Sequence, residues 1–110
     1  MSSGLYGNRP IITVSGTSKP FDLKDSNTLQ LCTNGSTVTL TVPDNATFPH
    51  PIGTEIDVLQ MGNGQVVFVE TGGVLLVSAF SNRKVAAQYT GASLKKIDTD
   101  SWVLFGNLTA

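Results

Sequence analysis

Thr37-Val38-Thr39-Leu40-Thr41-Val42 alternates hydroxyl and apolar side chains over the whole segment, and a period of two commits it to a strand with one dry face. Val38, Leu40 and Val42 are then expected in a core, with the threonines facing water or an edge. Thr28-Leu29-Gln30-Leu31-Cys32 alternates likewise, placing Leu29 and Leu31 on one side and Thr28, Gln30 and Cys32 on the other. The intervening Thr33-Asn34-Gly35-Ser36 carries an Asn-Gly pair suited to positive φ, so the two runs are expected to pair as a hairpin. Pro43, Pro49 and Pro51 make residues 43–53 a connecting loop, since proline cannot donate to a strand ladder.

Beyond Gly53, Thr54–Met61 and Gln65–Val69 are both β-prone and flank Gly62-Asn63-Gly64, which predicts a second hairpin. Val74–Val77 reads as another strand. Val85–Tyr89 is too short to hold as a helix and is read as extended. Ser93–Ile97 and Ser101–Phe105 predict a third hairpin around Asp98-Thr99-Asp100, with Trp102 and Leu104 sharing a face and Trp102 as the largest single apolar contribution to the core. About eight strands with turn signals every 8–12 residues point to an all-β fold, an antiparallel sandwich or a jelly-roll-like barrel. Met1–Pro10 stands apart as a mobile arm carrying Leu5, Tyr6 and Arg9, and residues 11–110 form the β-sandwich domain.

The chain has 110 residues, the size of one domain, and can fold without metals or disulfides. Charged residues are 14% of the chain against roughly 25% in an average soluble domain, and the net charge is -1 with no block of one sign, which argues against a nucleic-acid footprint. Cys32 and His50 are each single, so neither a disulfide nor a cysteine or histidine metal cluster is available within the chain. No apolar run has membrane-spanning length, and the first residues lack a signal-peptide pattern; the chain is expected to be made and used without general secretion. The triplets at Asn34, Asn45 and Asn107 are therefore read as turn chemistry rather than glycan acceptors.

His50, between two prolines, reads as a solvated loop histidine. Glu55 and Asp57 share a strand face, the arrangement of a paired-carboxylate site, but acids on an open strand face ordinarily serve solubility. Asp98 and Asp100 flank one turn without the further oxygen ligands calcium needs. Gly62-Asn63-Gly64 resembles a phosphate loop but precedes a strand, not a helix. Gln60 is placed to satisfy backbone groups of that turn. No catalytic residue, cofactor or metal is expected.

From Gly53 onward the order Gly53-Thr54-Glu55-Ile56, Gln60, Gly62-Asn63-Gly64-Gln65-Val66-Val67-Phe68, Gln88-Tyr89, Leu94-Lys95-Lys96-Ile97, Asp100, Trp102-Val103-Leu104 and Gly106-Asn107-Leu108 resembles a small β domain of tailed-bacteriophage virion proteins. That domain occurs in tail-fibre or tail-tip chains and in small head decoration proteins, and the resemblance covers about half the chain. It implies that Gly53, Gln60, Gly62, Gly64, Trp102 and Gly106 are structural and that the protein is not an enzyme. The chain starts at its own Met1 and lacks a fibre shaft, which favours a head cement protein that stabilises the assembled capsid. Its partners would be the major capsid protein or other virion proteins, with copies of itself, and its location the virion after synthesis in the host cytoplasm. The arm residues Leu5, Tyr6 and Arg9 are the expected partner anchors. The rival expectation is a tail-fibre or tail-tip component binding host-surface carbohydrate, for which Tyr6, Phe21, Phe48, Phe80, Tyr89 and Trp102 are the aromatics to inspect.

Overall fold

The computed structural model describes residues 8–110. Its strands are β1 (Ile11–Val14), β2 (Ser18–Pro20), β3 (Thr28–Cys32), β4 (Val38–Val42), β5 (Glu55–Gln60), β6 (Val66–Glu70), β7 (Leu75–Val77), β8 (Lys84–Val85), β9 (Gly91–Asp98), β10 (Ser101–Gly106) and β11 (Leu108–Thr109). Helical structure among the described residues is confined to two 3₁₀ turns, Leu23–Asp25 and Ala79–Ser81. The fold is all-β, and its strands form two mixed sheets: a six-stranded sheet ordered β1-β3-β5-β9-β10-β7 and a five-stranded sheet ordered β11-β8-β6-β4-β2. Val14, Cys32, Ile56, Val58, Leu94, Trp102 and Leu104 from the first meet Val38, Leu40, Val42, Val66, Phe68 and Val85 from the second in one hydrophobic core.

Two of the three expected hairpins do not exist. β3 and β4 lie in different sheets, as do β5 and β6. From β1 to β6 the chain crosses from sheet to sheet at every turn, so β1, β3 and β5 pair in parallel on one side and β2, β4 and β6 pair in parallel on the other. The chain thus winds as stacked coils. Leu29 pairs with Asp57 and Thr39 with Val67, so the second and third coils keep one offset of 28 positions on both sides of the crossover. Only β9 and β10 form the expected hairpin, and β9 also pairs antiparallel with β5. The strand expected from Val85 ends at Val85, where the chain turns through Tyr89 at positive φ.

The stacking explains the glycines of the second crossover. Gly64 N–H donates to Asn34 O at 3.0 Å and Gly62 N–H to Cys32 O at 3.0 Å, so the turn at 61–65 rests on the turn at 33–37. A Cβ at Gly64 would run into the Ser36 carbonyl, and one at Gly62 into the Thr33 carbonyl group. Gln60 closes the same turn from inside, its Oε1 accepting from Val66 N–H at 3.0 Å. Gly53 and Gly106 both hold positive φ, 96° before β5 and 141° at the end of β10.

Val38, Leu40 and Val42 are fully buried, as their alternation requires, and so are Trp102 and Leu104. β3 faces the other way from what its leucines suggest: Thr28, Gln30 and Cys32 point into the core. The polar members are satisfied there. Lys19 Nζ, reaching from β2 in the opposite sheet, donates to Gln30 Oε1 at 2.8 Å and Asp25 Oδ1 at 2.9 Å. Gln30 Nε2 donates to Thr28 Oγ1 and Asp25 Oδ1, and Thr28 Oγ1 donates to the Asp25 carbonyl. Burial alone would raise the Asp25 carboxyl, but the hydrogen bonds from Lys19, the Asp22 backbone and Gln30 hold it below its ordinary value.

A depressed carboxylate stabilises the fold above its unfolded pKa, and that contribution is lost as pH falls through the folded value. Asp25→Asn is expected to cost about 2 kcal/mol near neutrality, since it leaves Lys19 without its charged partner. Urea denaturation from pH 7 down to 2 checks this: the gap between wild type and variant should narrow as the pH drops below the ordinary aspartate value of 3.8.

Candidate functional site: the outer face of the six-stranded sheet

Residues that alternate with the core on β1, β3, β5, β9, β10 and β7 form the outer face of the larger sheet. One row across it runs Ile11, Leu29, Asp57, Ser93 and Phe105, each the register partner of the next. Beside it lie Leu31 and Leu59, and on the far side Leu75, Val77 and Val103, so the face is mostly apolar where a solvated sheet would be polar. Phe105, Leu75, Val77 and Ile11 are exposed.

At its middle the face dips into a groove of about 400 Å³ between Leu29, Asp57, Leu59, Ser93 and Phe105. Gly91 helps form the depression, because a side chain there would press on the Val58 carbonyl. The polar edge of the groove is occupied by its own partners: Ser93 Oγ donates to Asp57 Oδ1 at 2.6 Å, and Arg9 donates to Asp57 Oδ2 at 3.0 Å and Glu55 Oε1 at 2.6 Å. Lys95 Nζ closes on the other Glu55 oxygen at 3.1 Å. Arg9 and Lys95 hold the Glu55 carboxyl below its usual range, and Glu55 in turn raises the Arg9 guanidinium. The pair of carboxylates is therefore a clamp for Arg9. Arg9 lies against its own domain, whereas Leu5 and Tyr6 lie outside the described residues.

The other reactive side chains are also engaged. Cys32 is buried, and desolvation pushes its thiol up to about 11, away from the reactive thiolate. His50 is not a solvated loop residue: it is buried, its Nε2 lies 2.7 Å from the Asp22 carbonyl, and its ring meets Trp102 edge-on at 5.5 Å. Beside it Lys96, only 2% exposed, donates to Asn45 Oδ1 at 2.7 Å and to the His50 carbonyl at 2.8 Å. Burial lowers the Lys96 pKa, opposed by the nearby Asp100 charge. This cluster ties the proline-rich loop to β9. Asp100 uses Oδ1 to accept from Asn45 N–H at 2.7 Å, binding the same loop to the β9–β10 turn. No group of three or more potential metal ligands occurs among the described residues.

The aromatics divide sharply. Phe21 and Trp102 are in the core, while Tyr89 and Phe80 are exposed, Phe80 at 94%. Phe80 and Ser81 both hold positive φ, 57° and 56°, in a turn braced by Arg83, which donates to Ser78 Oγ at 2.9 Å and Leu76 O at 2.7 Å. The turn spends conformational strain on a side chain that touches almost nothing. Phe80→Gly is expected to raise stability by about 1 kcal/mol, seen as a higher urea midpoint with an unchanged slope.

Phe105 follows from the shared inward face of Trp102 and Leu104, whereas Val74–Val77 is apolar throughout and has no alternation to turn Leu75 and Val77 outward. The signal that exposes them is the pairing of strands across the sheet. No protein-family model, curated protein or solved structure matches the chain.

Proposed function

We propose that this chain is a non-enzymatic structural protein of tailed-bacteriophage virions, a head decoration protein that uses the outer face of its six-stranded sheet to bind the assembled shell. The observation that carries the contact reading is the set of apolar side chains on that face, with Ile11, Leu75, Val77 and Phe105 exposed and Leu29, Leu31 and Leu59 beside them. The virion assignment rests on the order of residues from Gly53 to Leu108. Chemistry by this face is disfavoured by the engagement of Asp57, Glu55 and Ser93 with one another's partners. A protein that binds the shell and not its free subunits stabilises the shell by mass action, and many weak copies act together.

Co-sedimentation with expanded heads of the phage that encodes the chain tests this. Wild type is expected to load the heads, and Phe105→Asp to reduce occupancy at least tenfold, the effect of losing a central aromatic contact of about 1.4 kcal/mol or more. Equal loading by both proteins, or none by wild type, would reject it. A tail-fibre or tail-tip role with carbohydrate binding is the second reading, favoured by the exposed rings of Phe80 and Tyr89. Glycan-array binding lost in Phe80→Ala, without head binding, would select it.

A further inference from the structure

We propose that two copies of this chain join through the edge of β1 that no described strand pairs, running antiparallel about a two-fold axis at Ile12. The inference extends the contact reading from the shell to a second copy, and its test uses the isolated chain, so the two can fail separately.

The backbone parity of β1 sets the geometry. Leu29 N–H donates to Pro10 O and Thr33 N–H to Val14 O, which places the peptide groups of the even-numbered residues toward β3. Those of Ile11 and Thr13 therefore point away from the sheet. In an antiparallel self-pair centred on Ile12, Ile11 of one copy stands opposite Thr13 of the other, and each exchanges both backbone hydrogen bonds, about four in all. Outward donors and acceptors thus match without any change in the strand. Ile12 meets its own copy at the axis.

The edges differ in how they are guarded. β2 carries Lys19 and Pro20, β7 has three residues and β11 two, all features that discourage pairing. β1 has neither charge nor proline nor bulge between Ile11 and Val14, and Ile11 is 63% exposed. The nearest charge, Arg9, is held on its own copy by Glu55 and Asp57 and would face Ser15 of the second copy, so no like charges meet. Pairing would make the two six-stranded sheets one continuous sheet and join their apolar outer faces.

An edge this short buries less than the ~1,200–2,000 Å² of a standard stable interface, so the dimer is expected to be weak and to form only at high concentration. Sedimentation velocity of the full chain between about 10 µM and 1 mM should show its mass rising from 11.6 kDa toward twice that value. Thr13→Pro deletes only an outward N–H and should keep the chain monomeric, with an unchanged circular-dichroism spectrum. Ile11→Lys, which leaves the backbone intact, should do the same and decides the matter if the proline variant misfolds. A wild-type chain that stays monomeric at the highest concentration, or a dimer that survives in folded variants, would overturn the proposal.

Discussion

Gly64→Ala is expected to destabilise the protein by about 3 kcal/mol, a large part of the ~5–15 kcal/mol available to a domain of this kind. The added carbon has no flexible side chain to push aside. It would press on the Ser36 carbonyl and lie 2.7 Å from the Asn34 carbonyl, and both belong to the turn on which Gly64 rests. Relief requires separating the two crossovers, which breaks the Gly64 to Asn34 and Val38 to Gln65 hydrogen bonds that hold the coils in register. Gly35→Ala is the control: nothing lies within 4 Å of a Cβ there, although it sits in the lower turn of the same stack. Urea denaturation should give a much lower midpoint for the first variant and one near wild type for the second. Similar midpoints would mean that the turns do not stack.

Trp102→Ala should cost about 3–5 kcal/mol, the range for deleting a large aromatic from a packed core. Trp102 is 1% exposed and touches both the apolar core and the polar cluster, with His50 edge-on and Lys96 Nζ 5.9 Å from its ring. Its Nε1 is buried, with no hydrogen-bond partner among the described residues. Removing the ring system therefore forfeits volume and a cation–π contact but no hydrogen bond. Trp102→Phe should recover most of the loss, leaving a deficit of about 1–2 kcal/mol. Equal damage from both variants in chemical denaturation would show that the indole nitrogen matters after all.

The contrast between these two residues shows what could be read from the chain. Period-two alternation is a local property, so it identified the strands and the burial of Val38, Leu40, Val42 and Trp102. Pairing is not local. An Asn-Gly turn that supports a hairpin also supports a crossing to the opposite sheet, and turn chemistry alone does not separate the two at Asn34 or Asn63. The 28-position offset that links Cys32 to Gln60 and Val38 to Val66 emerges only from the pairing, since the two Asn-Gly pairs stand 29 positions apart in the chain. The inward face of β3 was harder. Gln30 is buried only because Lys19 and Asp25 arrive from other elements to satisfy it, which leaves Leu29 and Leu31 to build the outer face. His50 was hidden in the same way, since its partner is the carbonyl of Asp22, far away in the chain.

Arg9 ties the first described residues to this outer face. Its guanidinium spans Glu55 and Asp57 at the edge of the groove, so the charges that resembled a catalytic pair instead fix where the chain enters the domain.

Hydrogen exchange of the chain, free and mixed with the phage heads it is proposed to bind, tests the contact surface most directly. Slowed exchange relative to the free chain is expected in Leu29–Leu31, Glu55–Leu59, Gly91–Lys95 and Val103–Phe105, with β4 and β6 unchanged. Slowing confined to the five-stranded sheet, or to no segment at all, would contradict binding through the outer face of the six-stranded sheet.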